Sequence, residues 1–333
     1  MPSFRTGAVT AILCELRGLQ RVEVDGQPAY VLTELIGAVA VGDRVVVNTT
    51  AVELGLGTGG WDVVHWNLAR DEWSKPGPGH IMKLRYTSVQ ADTGAAEEHP
   101  SYREPASLDR TPVVICGLHS QLGCVAAVFK HLRPDRRLAY VMTDGAALPL
   151  ALSDLVADLQ DAGLVDTTVT AGQAFGGDEE AVNVPSALRV ARANGAHAVV
   201  VAAGPGAVGT ATAMGFSAME VGAVIDAVRR DDGVAIVPLR WSDADQRERH
   251  RGLSHHTRSV LEWAGAGAII AVPRGAPAPR VGQHQVVEVD VPNVAALLAE
   301  RGVSVKTMGR GPDEDPRFFA YAGAAGVAAA RIR

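Results

Sequence analysis

Residues 111–145 read TPVVICGLHSQLGCVAAVFKHLRPDRRLAYVMTDG, and this stretch decides the fold. Pro112 to Cys116 is a short, continuous apolar run rich in β-branched residues, the composition of a strand covered on both faces. Gly117-Leu118-His119-Ser120 interrupts it, residues 121–132 carry apolar side chains at helical spacing, and 138–143 is a second apolar run ending in Thr143-Asp144-Gly145. The alternation continues, with strands predicted over 166–170, 198–203, 234–239 and 268–272 and helices over 148–162, 182–194, 218–230 and 255–264. Repeated β-α-β units connect right-handedly. The expected fold is therefore α/β, a doubly wound, mostly parallel sheet with helices on both faces.

On the N-terminal side the pattern is different. Residues 8–16, 20–24, 29–35, 44–48 and 81–86 are short β-rich runs, separated by Asp25-Gly26, Gly42-Asp43, a glycine-rich turn over 55–60 and a Pro/Gly turn over 76–79. Strands at this spacing predict a small barrel or sandwich over residues 1–90. Residues 91–110, polar and acidic with Pro100 and Pro105, read as a linker. The α/β domain then runs over 111–333, with its core at 111–273. Beyond a Pro/Gly-rich stretch, residues 283–333 form an extension: a β-α-β unit (285–291, 293–301, 303–307), the loop Asp313-Glu314-Asp315 read as a solvated turn, and an Ala-rich helix over 320–331.

Composition limits the function. The 333 residues are 47% hydrophobic and 20% charged, with a formal net charge of −6, enough for two cores and without the basic face that nucleic-acid binding needs. No apolar run reaches the roughly 18 residues needed to cross a bilayer, and the first residues lack a signal peptide pattern. Cys14, Cys116 and Cys124 form no C-x-x-C pair and read as buried thiols of a reducing, cytoplasmic compartment. Lysine is confined to Lys75, Lys83, Lys130 and Lys306 while arginine abounds, a usage typical of a GC-rich bacterial genome. A homo-oligomer is compatible with all of this.

Open α/β sheets bind ligands beyond the carboxyl ends of their strands, so the loops there hold the candidate residues. Gly204, Gly206 and Gly209, followed by Thr210, spell G-x-G-x-x-G after a strand, a pattern that lets backbone amides approach a phosphate. Ser217 and Glu220 form an S-x-x-E capping box, which would start the helix at 218 and leave 204–216 as a long cradle. His119-Ser120 offers a base and a nucleophile or, more simply, a helix cap; the G-x-S-x-G elbow is not matched, since leucines flank the pair at the glycine positions. Ser254-His255-His256 is the densest titratable cluster, with Ser254 expected to cap a helix. Adjacent helical residues diverge by about 100°, so one of the two histidines is expected to face the site. The helix N-terminus favours neutral imidazole. His119, Asp144, Asp243 and one of His255 and His256 would make a metal site from separate loops, but no H-E-x-x-H or C-x-x-C spacing identifies a metal or any other cofactor.

Taken together, Gly117-Leu118-His119-Ser120-Gln121, Thr143-Asp144-Gly145, Gly204 to Thr210 and Gly252-Leu253-Ser254-His255-His256-Thr257 resemble a family of bacterial proteins catalogued as a domain of unknown function. The resemblance spans nearly the whole chain and implies a bacterial cytoplasmic protein; it assigns no activity, cofactor or catalytic residue.

The expectation is an enzyme, a hydrolase or group transferase acting on a small anionic or phosphorylated metabolite. Gly204, Gly206, Gly209 and Thr210 cradle the anion and Arg240 or Arg249 pairs with it. His255 or His256 acts as acid/base, Asp144 or Asp243 orients that histidine, and His119 with Ser120 contacts the reacting end. The alternatives are a non-catalytic metabolite sensor or assembly subunit on the same scaffold, and a nicotinamide-dependent oxidoreductase, which requires a helix starting at Gly206–Gly209.

Overall fold

The computed structural model describes residues 1–56 and 59–332; residues 57 and 58 of the glycine-rich turn and Arg333 lie outside it. The chain forms two compact units, Met1–Gly94 and Ala95–Arg333.

In the first unit β1 (Phe4–Leu16), β2 (Leu19–Val24), β3 (Gln27–Leu32), β4 (Arg44–Asn48) and β5 (Asp62–Asn67) close a barrel in the order β1-β2-β3-β5-β4. Single-turn helices α1 (Thr33–Ile36) and α2 (Thr50–Glu53) follow β3 and β4. Every second residue of β4, Val45 and Val47, points inward to meet Val9, Val22, Val31 and Val64, the period-two signature of a strand with one dry face. Two expectations change here. Residues 81–86 supply only β6 (Met82–Lys83), which pairs with β7 (Ala91–Asp92) outside the barrel. The fifth barrel strand is β5, whose ends Asp62 and Asn67 are buried polar residues and so hide the apolar pattern.

The second unit is an eight-stranded, wholly parallel sheet. Its strands are β8 (Pro112–Ile115), β9 (Leu138–Thr143), β10 (Thr167–Ala171), β11 (Glu179–Ala181), β12 (Ala198–Ala203), β13 (Val234–Ile236), β16 (Ile269–Pro273) and β17 (Gln285–Val289), in the order β11-β10-β9-β12-β8-β13-β16-β17. β14 (Trp241–Ser242) and β15 (Gly252–Leu253) form an antiparallel pair apart from it. Helices α3 (Gln121–Leu132), α4 (Asp154–Asp161), α8 (Val294–Glu300) and α9 (Pro316–Arg331) pack on one face, against Val114, Tyr140 and Val200. Helices α5 (Val184–Ala193), α6 (Glu220–Arg230) and α7 (His255–Trp263) pack on the other, against Val113, Val141 and Val199. Alternate residues of each central strand therefore feed two separate cores, which explains the continuous apolar runs. α9 lies close on α3 because Gly326 faces it: a Cβ there would meet the Val125 carbonyl at 2.7 Å.

Residues 303–306 are coil and Thr307 makes only an isolated bridge to Arg310, so no strand forms; Val303 and Val305 alternate because they bury against α3, with Val305 over Gly123. The stretch expected as a linker splits, since residues 95–110 belong to the second unit. There Glu97 accepts from the Val182 amide and the Ser186 hydroxyl, and Leu108 is fully buried. Among the described residues no helix is long and apolar enough to cross a membrane.

α3 carries the chain from β8 past β12 to β9 on one face, and α6 carries it from β12 past β8 to β13 on the other. Strand order thus reverses between β8 and β12, the kind of point at which sheets of this class bind ligands, beyond the strands' carboxyl ends.

Candidate functional site

Between β13 and α7 the chain makes a hairpin excursion. Trp241 pairs with Leu253 and Ser242 with Gly252, the Ser254 amide returns to the Arg240 carbonyl at 2.9 Å, and the Arg240 amide donates to the Thr257 hydroxyl at 3.2 Å. This fold-back gathers His250, Ser254, His255 and His256 around Arg240. Ser254 caps α7 as expected: its hydroxyl accepts from the His256 amide at 3.3 Å and bonds His250 Nδ1 at 2.7 Å.

The three imidazoles form one cluster, with ring centroids 4.3 to 4.9 Å apart. Phe216 stacks on His256 at 3.8 Å and an interplanar angle of 10°. Both neighbouring histidines therefore join the cluster, where one was expected. The helix turns their Cα–Cβ bonds apart, but the rings converge over Phe216 and His250. His255 Nδ1 lies 3.3 Å from the Arg249 carbonyl. A carbonyl only accepts, so this nitrogen carries the proton and Nε2 holds the lone pair. His255 Nε2 and His256 Nε2 are both shielded from solvent and without a hydrogen-bond partner.

Charged groups surround the cluster. Arg240, 7% exposed, places Nη1 3.4 Å from His256 Nδ1 and Nη2 3.6 Å from Asp245. Asp245, 2% exposed, takes two side-chain hydrogen bonds from Arg247, at 3.0 and 2.9 Å, and stands 3.6 Å from Arg310. Burial would raise its carboxyl, but the Arg247 hydrogen bonds and the charges of Arg247 and Arg240 hold it well below the usual carboxylate range. Burial, reinforced by Arg240, pushes His250 and His256 down to about 3; burial also lowers His255. Burial brings Arg240 itself down to about 10. Near neutral pH the cluster is three uncharged imidazoles beside a charged guanidinium.

A matching family model describes its members as "Protein of unknown function (DUF3866)" and covers residues 28–326. The chain belongs to the DUF3866 family. The matched region runs from β3 to α9 and contains every residue of the histidine–arginine cluster, so the cluster lies in the part shared with DUF3866 proteins. Neither the curated proteins nor the solved structures contain a match.

The other expected site residues fall elsewhere. His119 has both ring nitrogens occupied, Nδ1 by the Ala203 carbonyl at 3.1 Å and Nε2 by the Ser153 hydroxyl at 2.7 Å; burial lowers it to about 4. It ties β8 to β12 and has no nitrogen left for a substrate. Ser120 stands at the N-terminus of α3 but its side chain does not cap it; the Gln121 amide side chain reaches the Leu118 amide and the Pro238 and Leu239 carbonyls instead. Asp144, at the end of β9, accepts from the Gln173 amide at 2.9 Å. Asp243 is exposed and bonds Trp241 Nε1 and Arg317. Neither aspartate orients a histidine, and the four groups do not assemble a metal site.

The glycine-rich loop is a self-contained turn. The Thr210 amide donates to the Gly215 carbonyl, Thr212 to the Thr210 hydroxyl and Ser217 to the Val208 carbonyl. Gly204 is tight against the Ala147 carbonyl, where a Cβ would come within 2.5 Å. Gly206 has φ +91°. Gly209 lies under Phe216 and His256. Regular α-helix begins only at Glu220, after a 3₁₀ turn at Ser217–Met219. A dinucleotide fingerprint needs a helix N-terminus at its glycines, and this loop lacks it. The capping box also fails to form, because the Glu220 carboxylate bonds the Thr143 hydroxyl at 2.7 Å and burial raises its pKa.

The sequence pattern does not single out His250, Asp245, Phe216 or Asp315 from their neighbours. Asp315, expected in a solvated turn, is 1% exposed and bonds Ser242 and Arg310. A cavity of about 20 Å³ bordered by Gly117, Ala218, Arg240 and His256 lies beside the cluster and has room for about one water.

Proposed function

We propose that this DUF3866 protein is a cytoplasmic, bacterial enzyme of hydrolase or group-transfer type that acts on a small anionic or phosphorylated metabolite beside the N-terminus of α7. The carrying observation is the pair of unpartnered, solvent-shielded nitrogens, His255 Nε2 and His256 Nε2, next to buried Arg240. Buried polar atoms are nearly always paired, and uncharged imidazole beside a guanidinium suits a reaction in which an anion is held and water or a hydroxyl is activated. Arg240 holds the anionic group. The attacking oxygen gives up a proton as it bonds to the electrophilic carbon or phosphorus, and the departing group takes one up. The free cysteines Cys14, Cys116 and Cys124 support a reducing compartment, and the scarcity of lysine supports a bacterial source.

The test is a thermal-shift screen of the full chain against inorganic phosphate, nucleotides, sugar phosphates and dicarboxylates. A ligand that binds only the folded state raises its melting temperature by mass action. The reading expects a shift with one anionic class that is lost in Arg240→Gln and retained in Asp144→Asn. A shift unaffected by Arg240→Gln would move the binding site elsewhere. An unchanged ligand affinity in His255→Ala, with no turnover in either protein, would favour a metabolite sensor.

A further inference from the structure

Clustered imidazoles can activate water in more than one way, and the cluster's geometry bears on which. His250, His255 and His256 each offer a ring nitrogen, and the three nitrogens lie within 4.8 Å of one another. A tetrahedral zinc ion with Zn–N bonds of about 2.1 Å holds its ligands roughly 3.4 Å apart, so modest side-chain rotations close this set. His255 Nε2 and His256 Nε2 are shielded and unpartnered, as ligand atoms are before a metal arrives. The outer nitrogens of His255 and His250 agree, whereas His256 Nδ1 faces the donor Nη1 of Arg240, so that ring has to turn to present a lone pair to the metal. Metal-bound histidines donate their second N–H to an oxygen that fixes the ring. His255 Nδ1 reaches the Arg249 carbonyl at 3.3 Å, and His250 Nδ1 reaches the Ser254 hydroxyl at 2.7 Å.

We propose that His250, His255 and His256 bind one divalent transition-metal ion of the zinc type and leave its fourth position for water or an oxyanion. This rests on the function proposed above and names the agent that activates the water. Imidazole donors suit zinc, cobalt, nickel or copper, whereas calcium and magnesium take oxygen ligands. Three histidines with an open position are the donor set of a catalytic rather than a structural zinc. Arg240, 3.4 Å from His256 Nδ1, opposes a dication, and Asp245 at 3.6 Å from Arg240 offsets part of that charge. The remainder favours an anion at the open position, so metal and arginine share one oxyanion ligand.

The experiment titrates chelator-treated, full-length protein with Zn²⁺ by calorimetry and follows Co²⁺ uptake by visible absorption. The expected result is one ion per chain and a Co²⁺ spectrum of four-coordinate intensity. His255→Ala and His256→Ala each weaken Zn²⁺ binding at least tenfold, while His131→Ala, on the exposed end of α3, leaves it unchanged. His250 is buried, so its variants are read only where circular dichroism matches the wild type, and the His255 and His256 variants carry the test. Absence of Zn²⁺ binding, or binding unchanged in the His255→Ala/His256→Ala double variant, overturns the metal site. Turnover that survives chelation but not His255→Ala also overturns it and leaves the enzyme standing. One tightly bound ion with no turnover of any anionic ester supports the metal site and overturns the enzyme.

Discussion

His250 Nδ1 and Ser254 Oγ lie 2.7 Å apart, and the same hydroxyl accepts the His256 amide that starts α7. One oxygen thus caps a helix and fixes a buried imidazole. Ser254→Ala removes both bonds and is expected to destabilise the protein by about 1–3 kcal/mol; Ser254→Thr keeps the hydroxyl and costs less. Urea unfolding measures both. Equal losses in the two variants would mean that side-chain shape, and not the hydroxyl, matters at this position.

Among the described residues, Asp245 is the one buried carboxylate within reach of Arg240, Arg247 and Arg310 together. Asp245→Ala strands guanidinium groups without their counter-charge, and removal of one partner of a buried pair costs about 3–5 kcal/mol. Arg247, more exposed than Arg240, is expected to tolerate Arg247→Ala at a smaller cost. Chemical denaturation that gave the reverse order would contradict the central place assigned to Asp245.

His119 sets a pH dependence. Its folded pKa, about 4, lies below the ordinary 6.5, so the unfolded chain takes up the proton first. Its contribution is whole above about pH 6.5 and is lost as pH falls towards 4. Across that window it adds a slope of up to about 1.4 kcal/mol per pH unit. His119→Leu should lower stability at pH 7, because the Ser153 and Ala203 bonds go, and should flatten the acid limb of the stability profile. An acid limb of unchanged slope would rule out His119 as its source.

Gly209 supports His256 from below. A Cβ there would meet Phe216 at 2.9 Å and the His256 ring at 3.4 Å, so Gly209→Val should displace the stacked ring. The readout is the His256 ring-proton resonance, which ring current from Phe216 shifts in the wild type and should release in the variant. Gly206→Ala is the contrast: its positive φ costs about 1–2 kcal/mol in strain, but nothing lies within 4 Å of the new Cβ. Its His256 resonance should stay in place.

The sequence reveals what depends on local pattern. Runs such as Val113 to Ile115 and the helical spacing of α3 need no knowledge of distant partners, and the doubly wound sheet follows from them. β5 was hidden because Asp62 and Asn67 at its ends are buried through long-range bonds, Asn67 to Asp43 and Asp62 to Arg5. Asp315 looked solvated because its partner Ser242 is 73 residues away. Of the candidate site, Arg240, His255 and His256 were legible as polar residues after a strand and at a helix start. His250 joins them only through the β14–β15 fold-back, which two-residue strands do not announce. His119 misled because a histidine after a strand looks the same whether its nitrogens are free or bonded to Ala203 and Ser153.

The most direct test of the central claim is turnover of a panel of chromogenic phosphate and carboxylate esters by the wild type, His255→Ala and Arg240→Gln. The account predicts hydrolysis of one anionic class, a fall in kcat of at least a hundredfold in His255→Ala with KM little changed, and a raised KM in Arg240→Gln. Turnover that persists undiminished in His255→Ala would contradict it.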